Sequence, residues 1–216
     1  YSYYTYQCDS LMASPNGDKL WDSFLAEAVG KGLKGKQLYN AIPHRRMSAT
    51  IYKNYPQGKI TVTDFLLGQY YLYEDALNSQ EWNIESDSIK VVLGHECQKA
   101  TCSFRGRKWT AWFALDVPVS DGPLKFCGLP GLIMEVYDRG KQYYFCINGM
   151  QQVSATPITF GILDKDFKHF QKTDRKDFLL SKYRYLRNQN SINEASTGIS
   201  LGSVDEALKY DLIERE

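Results

Sequence analysis

From Ser48 to Asn148 apolar and polar residues alternate in twos between short turns, and that period leaves the chain few options besides antiparallel strands. The alternation predicts strands at Ser48–Lys53, Lys59–Leu66, Gln69–Glu74, Ile89–Leu93, Glu96–Phe104 and Lys108–Val117. A last hairpin pairs Leu132–Asp138 with Lys141–Asn148 and turns at Arg139-Gly140. The connections carry Gly, Asn or Pro and are too short for the crossovers that parallel neighbours need. The expected fold is therefore mainly β (α+β). It is a curved antiparallel meander sheet of about seven to nine strands, with an open half-barrel as one form of it, and helices near both termini.

Outside that stretch the period lengthens. From Asp18 to about Leu33, Leu20, Trp21, Phe24, Leu25, Ala28 and Val29 recur at helical spacing, and Gly30, Gly32 and Gly35 end the run. After Pro157 the chain becomes helical and basic. Thr173 is a candidate cap, and Phe178, Leu179, Tyr183 and Leu186 form the apolar stripe of a covering helix over 173–187. Residues 165–187 carry eight Lys/Arg against three Asp/Glu, which suits a solvated face docked on the sheet or an anchor for an acidic partner. The chain thus reads as one β-rich domain over 1–187. Residues 188–216 then form a linker rich in Asn, Ser and Gly and a short acidic tail.

Composition narrows the partners. A net charge of +1 gives no global reason to expect nucleic acid. No stretch approaches the roughly 18 apolar residues of a membrane-spanning helix. The first residue is Tyr, which is consistent with a leader removed on export. Sixteen Tyr, ten Phe and four Trp fit strand propensity, or an aromatic-lined groove for a sugar, peptide or lipid. Five cysteines, Cys8, Cys97, Cys102, Cys127 and Cys146, allow up to two bridges and one free thiol in an oxidising compartment. On a regular strand Cys97 and Cys102 face opposite sides and do not bridge each other, so Cys127 or Cys146 are the better partners.

The densest signal lies between Glu81 and Asp138. It runs through Glu81-Trp82-Asn83-Ile84, Glu96-Cys97-Gln98-Lys99-Ala100-Thr101, Phe104-Arg105-Gly106-Arg107 and Ala111-Trp112-Phe113. It continues through Pro118-Val119-Ser120-Asp121-Gly122-Pro123 to Gly128-Leu129-Pro130-Gly131-Leu132-Ile133. In order and content, residues 50–150 resemble the bacterial GLPGLI family, named for the last motif and found mainly in Bacteroidetes. The resemblance implies a protein of the cell envelope, periplasmic or secreted, and no established activity, so it carries over no catalytic residue. Read physically, Asp121, Gly122 and Pro123 make a turn, while Gly128, Pro130 and Gly131 bend the chain and deliver Leu129 and Leu132 to a core.

Chemistry is sparser. His95 and Cys97 share a side of their strand, so a Cys-dependent redox or metal-binding enzyme centred on His95/Cys97 and Cys102 is one reading. There is no nucleophile elbow, zinc-protease helix, phosphate loop or dinucleotide fingerprint, and no cofactor or metal is expected. In the strand Lys108–Leu115, Trp109, Ala111, Phe113 and Leu115 oppose Trp112. In the last strand, Tyr143, Phe145 and Ile147 oppose Gln142, Tyr144 and Cys146. A sheet apolar on both faces suggests a non-enzymatic protein that binds a lipid, another apolar or amphipathic ligand, or an outer-membrane protein partner. A glycan-binding module is the further alternative. The candidate ligand residues are Arg105, Arg107, Trp112, Tyr144, Phe126 and Leu129.

Overall fold

A computed structural model of the chain describes residues 17–34, 37–38, 41, 49–151, 169–188, 191–192, 195 and 212–214. The described residues of 49–179 and 212–214 belong to one compact unit, and those of 17–48 and 180–210 to another. The first unit holds strands β1 (Thr50–Lys53), β2 (Lys59–Leu66), β3 (Gln69–Ala76), β4 (Asn83–Val92) and β5 (His95–Phe104). They are followed by β6 (Arg107–Ala114), β7 (Leu132–Asp138), β8 (Tyr144–Cys146) and β9 (Gln171–Lys172).

The class is mainly β, but the meander divides into two sheets. One has the order β1-β2-β3-β9 and the other β4-β5-β6-β7-β8. All neighbours are antiparallel except β3 and β9, which run parallel over two residue pairs. Three connections, Leu67-Gly68, Leu93-Gly94 and Arg105-Gly106, hold both central residues at positive φ. That mirror-image turn matches the twist of the strands it joins. At Arg139-Gly140 the Lys141 N–H donates to Asp138 O at 2.9 Å and closes the turn expected there.

The break between the sheets follows β3. Gln80, buried, donates to Lys125 O at 3.1 Å, and the Trp82 indole donates to Cys127 O at 2.8 Å. These bonds hold the connection against the segment between β6 and β7, and the strand that follows joins a new sheet. β4 starts at Asn83, earlier than the alternation suggests. Its register shifts between Glu85 and Ile89, so Ser86-Asp87-Ser88 shows no simple period.

The second sheet buries side chains on both faces. Ala100, Cys102, Phe104, Trp109, Ala111, Phe113, Phe126, Leu129, Ile133 and Val136 form the first core. Val92, Cys97, Ala114, Leu132 and Met134 form the core on the opposite face. Each large side chain buried this way contributes about 1.5–3 kcal/mol. Cys97 and Cys102 do lie on opposite faces, as their five-residue separation requires.

A bulge shapes this sheet. Trp112 pairs with Glu135 but Phe113 pairs with Ile133, so Met134 is the extra residue and points to the same face as Glu135. Opposite the bulge, the Ile147 N–H donates to Met134 O at 2.9 Å. Ile147 therefore packs on the second core while Tyr143 and Phe145 pack on the first, and the three do not share the face that alternation assigns them. Leu115 also departs from its expected side. β6 ends at Ala114, and Leu115 is exposed.

Helix α1 (Gly17–Gly30) ends with Gly32 at positive φ, where the Leu33 N–H donates to Ala28 O at 3.1 Å and the Gly32 N–H to Val29 O at 2.8 Å. This is the Schellman stop that glycine favours. Helix α2 (Arg175–Arg187) is capped by Asp174 rather than Thr173, its carboxylate accepting from the Asp177 N–H at 2.9 Å. That bond holds the Asp174 carboxyl below its ordinary pKa. Phe178 is buried between Tyr71 and Tyr73, at ring distances of 5.5 and 5.6 Å, whereas Tyr183 is exposed.

Candidate functional site

Cross-strand partners share a face, so the register writes out the second face of the β4–β8 sheet row by row. Glu85, Lys99, Trp112, Glu135 and Cys146 form one row across all five strands. Asn83, Thr101, Thr110, Tyr137 and Tyr144 form the next. Unlike the apolar row through Cys97, Ala114 and Leu132, these two rows are half-buried or exposed, apart from Glu135.

Their chemistry is aromatic and charged. Lys99 pairs with Glu85 at 2.8 Å. Lys90 pairs with the buried Glu135 and lies 5.7 Å from the Trp112 ring centre. Tyr137 and Tyr144 stack with centroids 6.0 Å apart, and Lys141 lies 5.2 Å over Tyr137. Burial, with the Cys146 and Glu135 side chains beside it, pushes the Tyr144 phenol up to about 12. Among the described tryptophan side chains, the indoles of Trp82 and Trp109 donate to backbone carbonyls. Trp112 Nε1 is buried and has no hydrogen-bond partner among the described residues. A buried donor left unsatisfied costs about 1–3 kcal/mol.

The six residues expected to bind a ligand do not converge. Trp112 and Tyr144 lie on this second face. Phe126 and Leu129 are 2% and 1% exposed, inside the core beneath the first face. Arg105 pairs with Asp75 at 2.5 Å and Arg107 with Asp138 at 2.6 Å, so both meet carboxylates of the chain itself. Asp75 lies among cations. Burial opposes its charge, yet Lys125 and Arg105 hold the carboxyl below its ordinary range. Lys99, Thr101, Thr110 and Tyr137 were not among the candidate ligand residues read from sequence, though their row partners Trp112 and Tyr144 were. Only the register groups them.

The turn residues between β6 and β7 tie the two sheets together. The Lys53 ammonium of β1 donates to Asp121 Oδ1 at 2.5 Å, Gly122 O at 2.5 Å and Phe126 O at 2.9 Å. Lys125, 5% exposed at its side chain, donates to Tyr73 Oη at 3.3 Å and pairs with Asp75 at 3.2 Å, both on β3. The Asp121 carboxylate also accepts from the Gly122 N–H at 2.8 Å, as a turn-forming aspartate does.

Residues 102–135 match the model of a family described as a protein of unknown function (Porph_ging). The Porph_ging match thus covers the end of β5, β6, the tying segment and the first half of β7. Two solved structures of PNGF-II, in the P21 and C2 space groups, each align at 16% identity and a TM-score of 0.43. The alignment covers 65% of this chain and 26% of theirs, so the chain spans about a quarter of that protein's length. No curated protein matches the chain.

The thiols lie apart from the aromatic rows, save one. Cys97, Cys102, Cys127 and Cys146 are unbridged, and Cys8 lies outside the described residues. Cys97 Sγ contacts the His95 carbonyl at 3.6 Å, while the His95 ring turns to Asp116 at 2.7 Å. Burial pushes the Cys97 thiol up to about 11 and the Cys102 thiol to about 12. Among the described residues no three His, Cys, Asp or Glu side chains group as metal ligands. Iodoacetamide at pH 8 is expected to alkylate Cys146 in the native chain while Cys97, Cys102 and Cys127 stay protected until denaturant is added. Peptide mapping reads the order, and labelling of Cys97 as fast as Cys146 would contradict the buried assignment.

Proposed function

We propose that the protein is a non-enzymatic binding module of the cell envelope whose ligand lies on the open rows of the β4–β8 sheet. The ligand this surface suits is amphipathic, with a flat apolar face for the aromatic rings and polar groups for the ion pairs beside them. The observation that carries the reading is Trp112. Its half-buried ring sits between two ion pairs, and its donor is buried without a partner. Buried polar groups are normally satisfied, so an unpaired one calls for a physical reason, a functional role among them. The likeness of residues 50–150 to the GLPGLI family supports the envelope reading, and we propose membership of that family on the same motifs.

A glycan is the second reading, favoured by the stacked Tyr137 and Tyr144 beside Thr101 and Thr110. Sugar rings present both an apolar face and hydroxyl edges, which such a row can meet. The thiol-enzyme reading has less support, because a buried thiol with a raised pKa yields little thiolate at neutral pH.

The test follows tryptophan emission of the chain against two probe classes, monomeric lysophospholipid and an oligosaccharide panel. Binding by one class should quench or shift emission, and Trp112→Ala should weaken it by about tenfold or more, equivalent to about 1.4 kcal/mol. Native mass spectrometry of protein taken from its own envelope provides the second readout. If neither class binds and no ligand or protein partner accompanies the chain, the binding reading fails. If binding survives Trp112→Ala unchanged, the site is elsewhere.

A further inference from the structure

Three consecutive residues far along the chain are held as a bound peptide is held. Leu212, Ile213 and Glu214 belong to no helix or strand, yet each contributes at least one group to side chains of the β unit. Arg107 donates from Nη2 to Leu212 O at 2.8 Å and from Nε to Ile213 O at 3.0 Å. The Ile213 side chain packs against the core that contains Trp109 and Phe126. The Glu214 carboxylate meets Lys125 at 2.5 Å through one oxygen and Arg175 at 3.3 Å through the other.

The side chains that meet the segment also have partners of their own. Arg107 is oriented by Asp138 at 2.6 Å and Gln142 at 3.0 Å, and its guanidinium lies 4.7 Å from the Tyr143 ring centre. Lys125 is set by Tyr73 and Asp75, and Arg175 opens helix α2. Lys125 and Arg175 are 5% and 8% exposed at their side chains, so the charges that read Glu214 are taken from water and fixed. Main-chain hydrogen bonds, an apolar anchor and a paired carboxylate are among the contacts by which short peptides are recognised. They occur here on successive residues.

We infer that these side chains form a peptide-recognition site for an acidic segment with an aliphatic residue immediately before its carboxylate, filled in cis by Leu212-Ile213-Glu214. It is distinct from the Trp112 rows, and its failure leaves the proposed ligand face untouched. Because the resident segment is part of the same chain, its effective concentration is high, and a competing peptide meets a largely filled site.

The experiment therefore disables the resident segment in the full chain with the pair Ile213→Ser and Glu214→Gln. Circular dichroism and guanidinium unfolding check that it folds. A fluorescein-labelled peptide of residues 209–216 is then titrated, with anisotropy as the readout. The substituted chain should bind the native peptide, and the same two changes in the peptide should weaken binding by about tenfold or more. The unsubstituted chain should bind the native peptide about tenfold more weakly than the substituted one. Two results overturn the inference. One is a folded variant that binds neither peptide or both alike. The other is loss of the cooperative unfolding transition, which would make these residues an integral part of the core and not a ligand.

Discussion

Replacing Gly131 by alanine is expected to destabilise the β unit by more than about 4 kcal/mol, a loss reserved for core disruption and similar damage. A Cβ at this position would stand 2.0 Å from the Ala114 carbonyl oxygen and 2.6 Å from its carbon. Both are backbone atoms at the end of β6, where Ala114 pairs with Leu132, so relief requires β6 and β7 to part. The neighbouring glycines calibrate the effect. Gly122→Ala meets the Ile133 side chain at 2.8 Å, which can shift, and overpacking of that kind costs about 1–3 kcal/mol. Gly128→Ala meets nothing closer than 3.7 Å but must hold φ at +91°, at a cost of about 1–2 kcal/mol. Guanidinium unfolding followed by far-ultraviolet circular dichroism should rank the three in that order. A Gly131→Ala chain as stable as Gly128→Ala would show that the close approach is not real.

Arg107→Met should cost about 3–5 kcal/mol, the range for removing one partner of a buried ion pair. The guanidinium side chain is 2% exposed and its partner Asp138 is 6% exposed. Methionine fills a similar volume but leaves Asp138 with the Tyr143 N–H at 3.1 Å and without its counter-charge. It also strips the donors from Gln142, Leu212 O and Ile213 O. Lysine would be a poor substitute, because one ammonium cannot reproduce a planar fork aimed at several acceptors. Adding Asp138→Leu to Arg107→Met should recover part of the loss by removing the stranded carboxylate. If the double variant is no more stable than Arg107→Met alone, the penalty lies in the lost carbonyl contacts and not in the charge pair.

Both predictions fall on residues that the sequence singled out, for reasons it gave only in part. Gly131 was visible as a bend, since glycine beside proline marks one, but the 2.0 Å approach to Ala114 depends on a strand placed next to it in space. Arg107 was visible only as a candidate ligand residue beside Gly106, and its partner Asp138 lies on a strand that the fold brings next to it. The functional residues show the same division. Trp112 could be set opposite Trp109 and Phe113 by alternation alone, whereas its missing hydrogen-bond partner is a fact of packing.

What the sequence determined by itself is local: a mainly β chain, its hairpin turns, and most of its strands. Strand period and turn chemistry act over a few residues, so they can be read without knowing the fold. What only the tertiary structure decided is the division into two sheets at Gln80 and Trp82, the bulge at Met134, and the return of Ile213 and Glu214 to Arg107 and Lys125. The first and last of these rest on polar groups finding partners across long sequence separations, and the bulge on the register between neighbouring strands. Such partners leave no periodic trace in the chain, because a carbonyl or carboxylate satisfies a buried cation wherever the fold brings the two together.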